Sequence, residues 1–206
     1  MLRIAFCVFL MLLSAVTLPA RERRALLVGI GEYPAESEWT LVHGDNDVRI
    51  IREFLLGQGV KAECIETITN EKATKKGILS ALERLTKTAG KGDVVYIHFS
   101  GHGQQVTDLD GDEEDGFDEA WVPYDARKKY VSRVYEGENH IIDDEINVCL
   151  KKLRAKVGAK GRITLVSDAC HSGSGSRGLG EDEYFRGTDE KFILPSGAAR
   201  RSGRSN

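Results

Sequence analysis

The sequence predicts an α/β fold: a parallel-rich sheet with helices on both faces. Three observations carry this expectation. Short aliphatic, β-branched runs alternate along the chain with segments of helical periodicity. One of those runs, residues 94–99 (VVYIHF), is apolar enough to be buried on both sides, as central parallel strands are. Two clusters of reactive residues directly follow such runs, and open parallel sheets bind ligands beyond the carboxyl ends of their strands.

In order, residues 25–30 (ALLVGI) read as the first strand. Asp45 or Asn46 is placed to cap a helix with Val48, Ile51, Phe54 and Leu55 on its apolar face, and Gly57 and Gly59 stop it. Residues 64–68 (CIETI) read as a second strand. Thr74 caps a helix with Ile78, Leu82 and Leu85 on one face. The third strand is 94–99. Asp143 is placed to cap a helix carrying Ile146, Leu150 and Leu153, and residues 163–166 (ITLV) are the fourth strand.

Residues 1–20 stand apart. Arg3 precedes an unbroken apolar run over 4–13, and the segment ends in Thr17-Leu18-Pro19-Ala20. This is the pattern of a secretory signal peptide, short for a membrane span; an uncleaved N-terminal anchor is the competing reading. The expected organisation is a signal peptide over 1–20, one globular domain over 21–185 and a loose basic tail, or the start of a further part, over 186–206. No later run is long enough to cross a bilayer, so no membrane is expected after signal cleavage, and the protein is expected to be secreted or periplasmic. The formal net charge of -3, with both signs mixed, leaves no nucleic-acid footprint. Cys7 leaves with the signal. Cys64, Cys149 and Cys170 remain, an odd count that leaves at least one thiol unpaired.

Cys170 lies in DACHSG, just after the fourth strand, and His102 lies in SGHG, just after the third. An isolated cysteine at a strand end is usually inert packing, and a turn histidine usually has no role. Together, at adjacent strand ends, the two make a thiol–imidazole pair in which the imidazole takes the thiol proton and later protonates a leaving amine. The glycines flanking His102 suit a tight, exposed loop. The other histidines fit less well. His98 sits inside a strand, His43 and His140 lie in loops without flanking glycines, and His171 points away from its neighbour Cys170 in extended chain.

With these residues the chain resembles the caspase-fold cysteine peptidases, and within them the metacaspase branch, type I-like and including bacterial members. SGHG and DACHSG resemble the family's dyad blocks, whereas the apoptotic caspases carry Q-A-C-[RQG]-G at the nucleophile. RALLVGIGEY (24–33) is similar to the family's first strand. LVHGDND (41–47) is similar to the following loop, with His43-Gly44 where the family usually has Gly-Cys. DLDGDEEDGFDEAWVP (108–123) and IIDDE (141–145) match the acidic segments. The resemblance covers roughly residues 23–175. It implies a caspase-like (caspase–hemoglobinase) fold, attack by Cys170 on a peptide carbonyl, and oxyanion stabilisation by the backbone N–H groups of Gly103 and Cys170. It implies protein or peptide substrates, and self-processing at basic sites such as Arg127-Lys128-Lys129 or Arg200-Arg201.

The departures matter too. The family has further strands after the cysteine block. Here Phe192-Ile193-Leu194 is the sole apolar run in that region. The expectation is therefore a large-subunit half with the C-terminal part missing, completed, if at all, by a C-terminal small-subunit segment. Eight carboxylates lie between Asp108 and Glu119. By composition alone this is a solvated loop. The resemblance matches Asp118, Asp143 and Asp144 to calcium ligands, but its fourth position falls on Arg177. No cofactor is required for the chemistry, and calcium stays open.

Asp168 is two residues before Cys170, so both side chains point to one side of an extended chain. A carboxylate there disfavours the thiolate and is no activator of it. It makes sense as the acid of a pocket for a substrate Arg or Lys before the scissile bond. The resemblance agrees and names Asp47 as its partner. The expected function is an exported cysteine endopeptidase cleaving after Arg or Lys. The alternative is a catalytically silent caspase-like domain acting as a regulatory or binding module. A redox or metal thiol protein is discounted, because there is no CxxC and no metal-ligand spacing among the histidines.

Overall fold

The computed structural model describes residues 21–170, 186–195 and 197. Its main sheet has four strands in the order β2-β1-β3-β7. These are β1 (Arg23–Gly29), β2 (Ile65–Thr69), β3 (Val94–Ser100) and β7 (Arg162–Asp168), and every pairing among them is parallel. The register aligns Gly29 with Ser100 and Ser100 with Asp168, so three strands end on one line.

Helix α1 (Gly44–Gly57) covers one face, packing Val48 against Ala25, Leu27 and Ile65. Helices α2 (Lys75–Thr88) and α3 (Asp143–Val157) cover the other, where Ile78, Leu82, Leu85, Ile146 and Leu153 meet Leu26, Val28, Ile97 and Phe99. The expected α/β layering is thus present. Burying side chains of this size stabilises by about 1.5–3 kcal/mol each, and the two central strands contribute Leu26, Leu27, Val28, Val95, Ile97 and Phe99.

Several local expectations need correction. Asp45 and Asn46 lie inside the first turn of α1; the residue before the helix is His43, whose positive φ of 59° is a left-handed conformation. Phe54 is 62% exposed, because Val48, Ile51 and Leu55 already complete the inward stripe. Cys64 belongs to a short 3-10 turn ahead of β2. Asp143 is the first helical residue of α3 and not its cap. Here the Glu145 carboxylate reaches back to accept from the Ile142 N–H at 3.3 Å. Thr74 does cap α2, its Oγ1 accepting from the Gly77 N–H at 3.0 Å.

A second sheet was not expected. It is antiparallel, in the order β4-β5-β6: β4 (Gly103–Thr107), β5 (Phe117–Trp121) and β6 (Ile141–Ile142). The acidic run is therefore the turn and one strand of a hairpin rather than a free loop. Trp121 joins the two sheets, stacking on Phe99 at 4.4 Å and donating Nε1–H to Ser167 Oγ at 2.9 Å. The described part of 186–195, expected as loose, is packed. Phe192 is buried with Val106, Val122 and Tyr135, and its N–H donates to the Gln105 carbonyl. Among the described residues β7 pairs only with β3, and Arg162, Thr164, Ser167 and Asp168 along it are exposed. No described helix is long and apolar enough to cross a membrane.

Candidate active site

The site is built at the aligned strand ends. His102 follows β3 by two residues and Cys170 follows β7 by two; since Ser100 faces Asp168 in the register, both come out side by side. The Gly101 N–H donates to the Asp168 carbonyl at 3.3 Å and continues that pairing. Gly101 itself is confined, because a Cβ there would lie 3.0 Å from the Tyr33 hydroxyl and 3.1 Å from the Phe99 ring.

His102 was expected in an exposed loop. It is instead 1% exposed, stacked on Trp39 at 4.7 Å and flanked by Tyr33 at 5.3 Å. Its backbone N–H donates to the Tyr33 hydroxyl at 3.0 Å, which in turn donates to the Val122 carbonyl. The ring Nε2 lies 2.8 Å from the Thr40 carbonyl. A carbonyl can only accept, so Nε2 carries the proton and Nδ1 keeps its lone pair. Nδ1 is buried and has no hydrogen-bond partner among the described residues. Burial pushes the imidazole pKa down to about 4, against the smaller opposing effect of the Thr40 carbonyl.

Cys170 is exposed and unpaired. Its backbone N–H and that of Gly103 converge on one oxygen, the carbonyl of Arg186, at 2.9 and 3.1 Å. The Arg186 side chain turns toward the two acids. Its guanidinium bonds Asp47 Oδ2 at 2.6 Å, lies 3.3 Å from Asp168 Oδ2 and contacts Ser100 Oγ. Ser100 donates to Asp47 at 2.7 Å. Asp47 comes from the first turn of α1, Ser100 from the end of β3 and Asp168 from the end of β7, so three elements bring one oxygen-lined recess to Cys170.

Sequence reasoning did not find Thr40, Tyr33, Trp39, Ser100 or Arg186. Ser100 stood in the SGHG block as a mere neighbour. The others are far from the dyad in sequence, and nothing local in the sequence marks them. The other histidines are elsewhere. His98 is buried, with Nδ1 3.0 Å from the Tyr96 hydroxyl. His140 is fully buried between Tyr135 and Gln104. His171 and Arg177 lie outside the described residues.

The acidic segment gathers two trios with ligand oxygens within 4.8 Å of one another: Asp108, Asp112 and Asp118, and Asp110, Asp112 and Asp144. Asp118 is only 3% exposed. Asp143 is in neither trio, and its Oδ1 is buried without a hydrogen-bond partner among the described residues. Asp110 titrates high, its carboxyl crowded by Asp112 and Asp108. Asp108 and Asp144 are half-buried and Asp110 and Asp112 exposed; clustered carboxylate oxygens of this kind fit a hard divalent cation.

Comparisons with known proteins agree with this architecture. The family model described as metacaspase, peptidase C14 domain, matches residues 23–176. Metacaspase-1 of Eremothecium gossypii is 38% identical over 160 residues, covering 74% of this chain and 32% of that protein. Metacaspase-1B of Aspergillus fumigatus is 38% identical over 160 residues, covering 74% and 36%. The chain thus spans about a third of the length of these curated relatives. The crystal structure of protein GSU0716 from Geobacter sulfurreducens superposes with a TM-score of 0.57 at 28% identity, covering 74% of this chain and 52% of that one. With a match across residues 23–176 and a caspase-like α/β sheet beneath it, the chain belongs to the metacaspase family of cysteine-type peptidases.

Proposed function

We propose that this chain is the catalytic part of an exported cysteine endopeptidase that cleaves peptide bonds after Arg or Lys. The observation that carries the specificity is the recess formed by Asp47, Ser100 and Asp168 beside Cys170, which already holds a guanidinium. Two carboxylates bonding one guanidinium select for a cationic side chain and repel an acidic one.

The chemistry follows from the same geometry. Cys170 Sγ attacks the substrate carbonyl carbon, and His102 Nδ1, left unprotonated by the Nε2–Thr40 bond, accepts the thiol proton. The N–H groups of Gly103 and Cys170 stabilise the oxyanion; donors already aimed at developing charge lower the barrier to acyl transfer substantially, because they need no reorganisation as the charge forms. The imidazolium then protonates the departing amine. Water takes the amine's place, His102 again acts as base, and the acyl-enzyme is hydrolysed. Trp39 and Tyr33 hold the ring in this plane and keep water off it.

Calcium, if bound, would be held by the two trios that contain Asp118 and Asp144, with Asp143 in neither. It supplies charge neutralisation to the β4–β5 turn and takes no part in bond breaking. Export rests on the n-region and apolar run of residues 1–20, which lie outside the described residues.

The test is a fluorogenic peptide series varying only the residue before the scissile bond, run on wild type, Asp168→Asn and Cys170→Ala. An acid facing a neutral side chain is left unpaired at about 1–3 kcal/mol, so Arg and Lys are preferred at least about tenfold. Asp168→Asn narrows that preference and Cys170→Ala has no turnover. Preference for Asp, or turnover by Cys170→Ala, overturns the reading. An inert wild-type thiol favours the silent binding module.

A further inference from the structure

We infer that His98, one row beneath the acid recess, is a further specificity-determining residue of this site: its imidazole and the substrate's cationic side chain compete for the field of Asp47 and Asp168, so the neutral ring admits Arg or Lys and the charged ring turns it away. The inference rests on the peptidase reading above and adds to it a residue outside both the dyad and the wall of the recess.

The sheet puts His98 there by register. On the face covered by α1, Gly29, Ser100 and Asp168 form the row at the strand ends, and Leu27, His98 and Val166 form the row immediately below. Side chains two apart along a strand share a face, and the two rows lie roughly 6.5 Å apart. In the upper row Ser100 bonds Asp47 and contacts the Arg186 guanidinium, and Asp168 lies 3.3 Å from it. His98 is therefore the next side chain down from whatever cation occupies the recess.

The ring does more than pack. It is 6% exposed, in a row whose other members are Leu27 and Val166. An apolar side chain would fill such a place and leave no polar atom over. Tyr96, the next side chain down on the same strand, has its hydroxyl 3.0 Å from Nδ1 and stacks on the ring at 6.0 Å. Nε2 is buried and has no hydrogen-bond partner among the described residues. Most buried polar atoms are paired, and one left over requires a reason. An imidazole beside two carboxylates supplies one, because it can exchange a proton near neutral pH.

The titratable and charged groups that act on the ring are Tyr96 on its own strand, Asp168 from β7, Asp47 from α1, and Arg186; β1 contributes the apolar Leu27. The Tyr96 hydroxyl stays neutral, its pKa raised by burial. With the recess filled, the imidazole is held below its ordinary value, chiefly by burial. Asp168 and then Asp47 oppose this, and the Arg186 guanidinium adds to it. Taking the guanidinium away leaves two carboxylates uncompensated, so an empty recess favours the imidazolium. Coupling of this kind is reciprocal. A substrate Arg or Lys entering the recess drives the ring's proton to solvent, and a ring that keeps its proton weakens the substrate's hold by the same factor. Selection for a cation is therefore strongest above the ordinary histidine pKa of about 6.5 and falls on the acid side of it. The effect belongs to side-chain binding and appears in KM, whereas titration of the dyad in the bound complex appears in kcat.

The test uses Arg186→Gln chains, so that the chain's own guanidinium does not compete. KM and kcat for an Arg peptide are measured from about pH 8 to about pH 5, with His98 present and with His98→Gln. With His98, KM is expected to rise at least about fivefold toward the acid end; with His98→Gln, which takes up no proton, it should vary by less than about twofold. A second measurement needs neither turnover nor a change at His98. In Cys170→Ala, Arg186→Gln protein the His98 ring is titrated by nuclear magnetic resonance, with and without benzamidine, an amidinium of the substrate side chain's charge. Saturating benzamidine is expected to lower the midpoint by about 0.7 pH, the same fivefold factor. Parallel KM profiles, or a midpoint that bound benzamidine leaves unmoved, overturn the inference, and turnover of the Arg peptide then leaves the peptidase reading standing. A benzamidine-dependent midpoint without turnover overturns the peptidase reading and keeps His98 as the gate of a cation-binding recess. A recess that takes neither benzamidine nor the Arg peptide overturns the two together.

Discussion

His102 owes its neutral state to being dry. Packed under Trp39 and Tyr33, it is neutral in the folded protein down to a pKa of about 4, while the same side chain in the unfolded chain titrates near 6.5. Between those values the unfolded chain binds the proton and the folded one does not, so unfolding is favoured as pH falls. No penalty exists above about pH 6.5, and it grows to roughly 3 kcal/mol near pH 4. His98, also held low by burial, acts in the same direction. Denaturant titrations from pH 7.5 to 4 are expected to show His102→Gln losing stability less steeply than wild type, with His98 common to both. Parallel slopes would mean that His102 hydrates on acidification. At the same scale, Ser100 is the least visible member of the acid recess. Its hydroxyl orients Asp47 and touches the bound guanidinium, so Ser100→Ala removes bonds to charged groups. Each such bond contributes about 1.5–3 kcal/mol, and kcat/KM for an Arg peptide should fall about tenfold or more. The loss is expected mainly in KM, because the group contacts the side chain and not the reacting carbonyl. A fall confined to kcat would place Ser100 in the chemistry instead.

At the scale of elements, the recess depends on how closely α1 approaches the sheet. Gly44, at the start of α1, has no room for a side chain: a Cβ would lie 2.3 Å from the Ser100 carbonyl oxygen and 2.7 Å from that of Ile30. Gly29 on β1 faces the same contact, 2.3 Å from the Gly44 oxygen. These backbone atoms cannot rotate away, so Gly44→Ala must push α1 outward and carry Asp47 with it. Overpacking of this kind costs about 1–3 kcal/mol, and a melt should show a loss of several degrees together with a raised KM for Arg peptides. Unchanged melting would mean that α1 tolerates the shift. The same contact shows what the sequence could and could not reveal. Strands β1 and β3, the capped helix α2 and the placement of His102 and Cys170 at strand ends were legible, because aliphatic runs and helical periodicity report burial directly. The second sheet was not. Residues 117–121 carry Asp118 and Glu119 among apolar residues, and charge hides a strand in which Asp118 is buried and Glu119 exposed. Asp168 was legible from its spacing to Cys170, but its pairing with Asp47 only through the resemblance, since the two lie on β7 and α1 and meet through a register that periodicity does not encode. Ser100, Thr40 and Arg186 were invisible for the same reason: their partners are chosen by topology.

At the scale of the whole molecule, the two sheets are joined at Trp121 and again through the acidic turn. Asp118 sits on β5 and Asp144 in the first turn of α3, while Asp108, Asp110 and Asp112 lie in the turn between β4 and β5. Repulsion among these carboxylates is met unevenly: Asp108 accepts from the Gly111, Glu113 and Asp110 N–H groups, which hold its carboxyl low, while Asp110, crowded by Asp112 and Asp108, is raised. A divalent cation there would bridge the second sheet to α3, and α3 packs on the main sheet; binding would therefore stabilise the entire fold and not one loop. At ten times its Kd the ion contributes about 1.4 kcal/mol, which is a few degrees in Tm for a chain of this size. Calcium is expected to serve and magnesium to serve poorly, because the trios offer many flexible oxygens and magnesium holds its waters tightly. Thermal melts in millimolar calcium, millimolar magnesium and chelator, on wild type and Asp118→Asn, check this. Wild type should gain in calcium alone, and Asp118→Asn, with a neutral amide at the most buried position of the cluster, should not respond. An equal gain in both proteins would move the ion to another site, and no gain in wild type would leave the turn as carboxylates held together by the fold alone.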